Sequence, residues 1–282
     1  MQHDSLRRVL FGDWSGKKRL ESITNPKKLR GGTLIIDDTP LEKPYGKEYE
    51  DAGYFFSSSL GKAVYGYQLV LLIWVKGKKR IVIDQRIYCP GKSRSKIAIA
   101  LEMLSYARNK LCIKPEVVLF DSWYCAKMIL KRISDYGWCF VSQIKKNRLF
   151  NGKKLKKYKT NPYWNESGWL KGGLRVRIVR NGKKYFITNR LSLGRSQILD
   201  LYKRRQNIEE VNKELKFQGL NDCQTRNIKA HSQFIWICII AFSIIEQKSR
   251  VEGCTVYHLK KINRSSDELL PRALQKRILR DA

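Results

Sequence analysis

The stretch TLIIDDTP, residues 33–40, decides how the fold is read. An apolar, β-branched run leads into paired aspartates and is broken by Thr39 and Pro40, the pattern of a buried strand that ends on carboxylates. Residues 41–62 have loop composition, with Gly46, Gly53, Gly61 and a serine run. Beyond them, Val64 to Val75 and Arg80 to Tyr88 are β-rich and joined by KGKK, which predicts a hairpin. Ser95 to Leu111 has a helical period through Ile97, Ala100, Leu101, Leu104 and Ala107. A second short apolar run, VVLF at 117–120, again terminates on an aspartate, Asp121. A helix over about Trp123 to Asp135 and a strand over Trp138 to Ser142 follow.

The order strand, hairpin, helix, strand, helix, strand is that of an α/β domain with a ribonuclease H-like mixed sheet and flanking helices. Residues 144–190 break the alternation. They are Lys-rich and Gly-punctuated, and they carry a hairpin candidate, Leu174 to Val179 and Tyr185 to Thr188 across NGKK. This reads as a β-rich insertion ahead of a helix from about Ser196 to Phe217. An apolar helix from about Ala230 to Lys248 closes the core. The expected organisation is a basic N-terminal segment (1–32, with one helix around His3 to Leu10), a catalytic domain (33–143 and 191–250), the insertion (144–190) and a basic tail (251–282).

Composition bounds the partner. Lys and Arg number 57 against 25 Asp and Glu, a formal charge of +32, which calls for a polyanion such as nucleic acid. The amino terminus MQHDSLRRVLFGDW lacks the apolar core of a signal peptide. The longest apolar run, Phe234 to Ile245 with Ser243 interrupting, is shorter than the roughly 20 residues of a membrane span, so no membrane partner is expected. Seven cysteines without a C-x-x-C pair and three scattered histidines argue against structural zinc and for reduced thiols in the cytoplasm.

The late helix carries the most specific pattern. Taken as one helix at 100° per residue, Tyr202, Arg205, Glu209 and Lys216 fall within an arc of about 60°, while Leu201, Ile208, Val211 and Leu215 occupy a separate arc of about 80°. One face packs; the other presents a carboxylate among cations and a phenol. A plain i,i+4 Arg205–Glu209 pair is the simpler account of two of these residues. For Asp121, a cap on the following helix is the simpler account.

The spacing Y-x-x-R-x-x-x-E-x-x-x-x-x-x-K resembles, without a gap, the signature of the YREK group of DDE transposases, the insertion sequence four type. The resemblance spans roughly residues 33–250. It implies metal-dependent DNA strand cleavage and strand transfer at the ends of an insertion sequence, with Asp38, Asp121 and Glu209 as catalytic acids and metal ligands. Asp38, directly before Thr39, fits the family's strand pattern better than the alternative, Asp37. It further implies two Mg²⁺ ions, with Mn²⁺ able to substitute, because three carboxylates brought together repel by about 4 kcal/mol per pair at 4 Å unless cations neutralise them. Tyr202, Arg205 and Lys216 would hold phosphates near the scissile bond. Lys145 and Arg148, in the basic turn after the last core strand, would bind DNA, and Trp164 or Trp169 would be placed to stack on a flipped base. The implied partners are double-stranded DNA, both transposon ends and target, and a second copy of the chain in a dimer on DNA.

One departure bears on activity: relatives usually have a longer N-terminal end-binding domain than the short segment before Asp38. The competing expectation is therefore a truncated, catalytically idle DNA-binding remnant or inhibitor. A basic RNA-binding structural protein would explain the charge but leave the helix spacing and the strand-end aspartates to coincidence. If a basic groove tracks the DNA backbone, affinity should fall steeply with salt, with a log–log slope near −0.9 per phosphate neutralised. Fluorescence anisotropy over a salt series measures that slope, and a flat response would remove the groove.

Overall fold

The computed structural model describes residues 8–44, 48–57, 61–90, 92, 94–158 and 161–259. Helix α1 (Gly16–Thr24) precedes strands β1 (Thr33–Glu42), β2 (Gly53–Ser57), β3 (Lys62–Lys76) and β4 (Lys79–Tyr88). Helix α2 (Lys96–Asn109), strand β5 (Val117–Phe120), helix α3 (Lys127–Asp135) and strand β6 (Phe140–Ile144) follow in alternation. The next segment holds β7 (Leu149–Phe150), β8 (Lys153–Lys154), β9 (Asn165–Leu170), β10 (Leu174–Asn181) and β11 (Lys184–Thr188). Helices α4 (Arg195–Lys203), α5 (Gln206–Phe217) and α6 (Ile228–Glu252) end the described fold.

All the strands join one mixed sheet, in which β3 takes β4 and β2 along one side and β1 along the other. β1 then pairs in parallel with β5, and β5 with β6. Strand β11 adds antiparallel to β6, so the β-rich segment extends the same sheet. Two apolar layers cover it. On one face Leu34, Ile36, Val70, Leu72, Val118 and Phe120 pack with α2 and α3. On the other, Ile35, Leu71, Ile73 and Leu119 pack with α4, α5 and α6. Because β1 and β5 are apolar on both sides, they read as continuous runs rather than as alternation.

The helix boundaries follow from their caps. Ser95 Oγ accepts from the Ala98 N–H at 3.2 Å to open α2, and Asn227 Oδ1 accepts from the Ala230 N–H at 3.0 Å to open α6. Helix α6 runs a few residues past both ends of the expected span, Ala230 to Lys248. Its 25 residues meet the length and composition of a membrane span, yet Ile235, Ile239, Ile240 and Phe242 are fully buried within the fold.

Several expectations need correction. The helix expected over Ser196 to Phe217 is broken. At Arg204 and Arg205 the chain tightens into i→i+3 bonds, with the Arg204 N–H donating to Leu201 O at 3.1 Å and the Arg205 N–H to Tyr202 O at 3.0 Å. No glycine or proline marks this turn, so nothing in the sequence announced it. Strand β1 does not stop at Asp38 but runs through Pro40. β5 pairs only with Thr33–Ile35, so further along β1 has no second neighbour and a proline costs it little. The segment read as loop contains edge strand β2, whose Tyr54 and Phe56 are exposed. Helix α1 was not foreseen, and the helix expected near His3 to Leu10 falls mostly outside the described residues, with 8–11 helical. The tail beyond residue 259 also lies outside them.

Gly66 lets β3 cross close to β1. Its φ is +146°, and a Cβ there would lie 2.2 Å from the backbone oxygen of Leu41. Gly66→Ala should therefore lose on the order of 1–3 kcal/mol of stability, read as a lower urea midpoint with unchanged m. An unchanged midpoint would mean that the crossing relaxes without strain.

Candidate active site

Successive residues of a strand point to opposite faces of the sheet. Asp37, opposite Leu71, therefore shares the face of Ile35, the side covered by α4, α5 and α6. Asp38, opposite Val70, shares the face of Leu34 and Ile36, the side covered by α2 and α3. The same alternation carries Asp121, two residues past Leu119, to the side of Asp37. Asp37, just past the stretch of β1 that pairs with β5, and Asp121, just past the end of β5, thus leave the sheet side by side toward the helix that bears Glu209.

Arg205, in the turn between α4 and α5, ties the constellation together. One guanidinium nitrogen donates to Asp37 Oδ2 at 2.5 Å and another to Glu209 Oε1 at 2.5 Å. The side chains of Asp37 and Arg205 are 15% and 18% exposed, against 48% for Glu209, so one end of the bridge is held in the protein and the other meets water. Burial pushes the Asp37 carboxyl up to about 7; Arg205 pulls it down, and the charges of Asp121 and Asp38 push it up. Tyr202 sits against Phe186 with ring centroids 4.9 Å apart, and burial pushes its phenol up to about 12. Asp121 Oδ1 accepts from the backbone N–H groups of Trp123 and Tyr124 at 2.8 and 3.2 Å, closing the turn that precedes α3. Asp121 therefore closes a turn rather than capping the helix, whose N-cap is Ala126, and among the described residues its Oδ2 meets no hydrogen-bond donor.

Asp38, expected as the first acid, is engaged elsewhere. Its Oδ1 accepts from the Tyr124 hydroxyl at 2.8 Å, and its Oδ2 accepts from Lys96 Nζ at 3.0 Å and Gln68 Nε2 at 3.1 Å. A carboxylate held by three side-chain donors on the α2–α3 face is a structural anchor facing away from Glu209. Lys96 was missed by the sequence reading. It is buried, and its ammonium lies 4.1 Å from the Trp123 ring centroid. A lysine immediately after the Ser95 cap looks like an ordinary exposed residue, and only the fold brings it to Asp38.

The remaining candidates scatter. Lys216 is partly buried, which lowers its ammonium, and its charge partner is Glu42 at the far end of β1 rather than the acids. Lys145 is exposed and Arg148 half-buried in the turn after β6. Trp164 packs among Tyr158, Phe150 and Tyr185, at ring distances of 5.0, 5.9 and 6.4 Å. Trp169 is 54% exposed and remains available for stacking.

Among the described residues no three His, Cys, Asp or Glu side chains lie close enough together to hold a metal ion. In this arrangement Arg205 supplies positive charge between Asp37 and Glu209. The donor chemistry nonetheless fits a hard divalent cation: Asp37 and Asp121 offer carboxylate oxygens alone, and burial, with the charge of Asp121 beside it, raises the Asp37 carboxyl.

Residues 29–244 match the family described as transposase DDE domain, and the chain belongs to that family. Among solved structures, the piggyBac transposase synaptic complex with hairpin DNA, determined by cryo-electron microscopy, superposes with a TM-score of 0.53 at 13% identity. That match covers 89% of this chain and 52% of the piggyBac chain, so the chain spans about half the length of this neighbour. Endonuclease V from Bacillus subtilis is a more distant match, with a TM-score of 0.28, 14% identity and coverage of 68% of this chain and 92% of that one. No curated protein matches.

The Asp37 carboxyl makes stability depend on pH. An unfolded aspartate titrates near 3.9, so between about pH 4 and pH 7 the folded chain holds the extra proton and stability falls as pH rises, by up to about 1.4 kcal/mol per unit. Asp37→Asn removes this loss. Urea unfolding should show the variant gaining on the parent from pH 4 to pH 8; a difference independent of pH would mean that Asp37 is not perturbed.

Proposed function

We propose that this chain is the catalytic part of an insertion-sequence transposase that cleaves one DNA strand at each element end and joins the freed end to target DNA. The observation that carries this reading is the common face of Asp37, Asp121 and Glu209, with Arg205 and Tyr202 between the sheet and α5. The sheet order β4-β3-β1-β5-β6 supports a ribonuclease H-like domain. The tyrosine, arginine, glutamate and lysine spacing supports the YREK group. We assign Asp37, rather than Asp38, as the first acid. The piggyBac neighbour was captured on hairpin DNA, which supports double-stranded DNA as the partner, and we expect a dimer on paired ends.

Asp37, Asp121 and Glu209 would hold the divalent ions, Mg²⁺ or Mn²⁺. When bound, such ions neutralise the charge of the reacting phosphate and activate the attacking oxygen. In cleavage, water attacks phosphorus, the P–O3′ bond breaks, and a 3′-hydroxyl and a 5′-phosphate are left. In joining, that hydroxyl attacks a target phosphorus, and one phosphodiester forms as another breaks. The Arg205 fork matches two phosphate oxygens as well as it matches carboxylates, so DNA can take it over from Glu209. Tyr202, backed by Phe186, would set the rear wall of that phosphate position, and Lys216 would hold the strand further along α5.

The test is strand cleavage of a plasmid carrying the DNA that flanks the gene, with Mg²⁺ or Mn²⁺. Glu209→Gln and Asp37→Asn should each reduce cleavage by roughly 100-fold or more, the scale of losing a group that stabilises charge at a reaction centre. Asp38→Asn should still cleave, with lower thermal stability. Cleavage that survives Asp37→Asn but not Asp38→Asn would reverse the assignment, and DNA binding without cleavage by the parent chain would favour the idle remnant.

A further inference from the structure

Away from the acids, the tip of the β9–β10 hairpin closes over one face of α3 and leaves a cavity of about 250 Å³. None of Asp37, Asp121 or Glu209 lines it. Its floor is apolar, made by the buried Leu130 and Leu170. Its walls are cationic: Lys127 and Lys131 come from successive turns of α3, Lys171 from the hairpin tip and Arg148 from the turn after β6. Asp135 is the carboxylate on the same wall, and among the described residues it forms no ion pair with any of the four cations. Four positive groups and one carboxylate line the concavity, so an excess of positive charge remains, and a bound anion would relieve the repulsion among the cations.

The backbone is built to the same end. Gly172 has φ +107°, a conformation that side chains strain to adopt, and a Cβ on it would lie 2.5 Å from Lys127 Cε and push that side chain aside. Helix α3 begins at Lys127 with Ala126 in the N-cap position, which offers no side-chain oxygen to the first-turn N–H groups. An uncapped helix start faces anions favourably. Arg148 also lies close enough to Cys125, in the segment that leads into α3, to act on its thiol.

We infer that this cavity is a second phosphate site, which grips a phosphodiester of the DNA strand beyond the scissile position and fixes the strand where the β-rich segment meets the core. The inference rests on the transposase reading and extends it, because it gives the segment between β6 and α4 a task in DNA placement that the acids do not perform. Lys127, Lys131 and Lys171 are exposed, so substituting them leaves the core intact.

The experiment compares the parent chain, Lys127→Ala with Lys131→Ala, and a control pair, Lys78→Ala with Lys110→Ala, two exposed lysines outside the cavity lining. Binding to duplex DNA is measured by anisotropy over a salt series, with thermal melts to confirm folding. The cavity pair should bind more weakly with a log–log salt slope shallower by about 0.9 for each phosphate lost, while the control pair keeps the parent slope. Restoring charge with Lys127→Arg and Lys131→Arg should recover the slope. A cavity pair with the parent slope, or an equal loss in the control pair, would overturn the site while leaving the transposase reading intact. A parent chain with no salt-dependent DNA binding would overturn both.

Discussion

The pleat of β1 is the constraint on which the rest of the site depends. Two aspartates in succession on an extended strand cannot serve one site, since their side chains leave opposite faces. The fold uses both. Asp38 is pinned by Tyr124, Lys96 and Gln68 and ties the end of β1 to α2 and to the turn after β5. Asp37 is turned to the α5 face, where its carboxyl, raised to about 7, meets Arg205. The anchored Asp38 restrains the backbone of its neighbour, so the position of Asp37 is set in part by contacts that lie on the other side of the sheet.

Electrostatics decides what the α5 face can do. Burying Asp37 costs free energy, the neighbouring charge of Asp121 adds to the cost, and one arginine offsets it only in part, as the raised Asp37 carboxyl shows. A buried carboxylate beside a second one gains most from a compact double charge, which a divalent ion supplies and a guanidinium does not. Arg205 is itself divided between a buried partner and a half-exposed one. The exposed arm, toward Glu209, is the weaker of the two because water competes for it.

Much of the architecture was legible from the chain. Val117 to Phe120 matched its strand at both ends, and the hairpin over β3 and β4 was expected within two or three residues, because apolar runs bounded by turn residues carry their own limits. The helix read from the family spacing is interrupted at Arg204–Arg205. The choice between Asp37 and Asp38 was not legible for a physical reason: with both faces of β1 buried, the sequence shows no alternation that would say which face an aspartate takes. Lys96 and the cavity under the β9–β10 hairpin were hidden because each is assembled by residues far apart in the chain. Strand β2 was hidden because its apolar side chains face outward at an edge.

The break between α4 and α5 gives the spacing of the signature residues a different meaning from the one a continuous helix would give. On one straight helix Tyr202, Arg205, Glu209 and Lys216 would form a single stripe, with Lys216 about 10 Å beyond Glu209. The tight turn instead assigns them to different supports. Tyr202 belongs to α4 and packs on β11 through Phe186, Arg205 lies in the turn and reaches β1, and Glu209 starts α5 at the solvent boundary. The two members nearest the sheet are held by packing and ion pairing, whereas Glu209 is restrained by a single arginine. An acid so placed can move from Arg205 to another positive partner by side-chain rotation alone, without disturbing the core beneath α5. We therefore read Asp37 and Asp121 as the preformed half of the site and Glu209 as the half completed when DNA takes over Arg205.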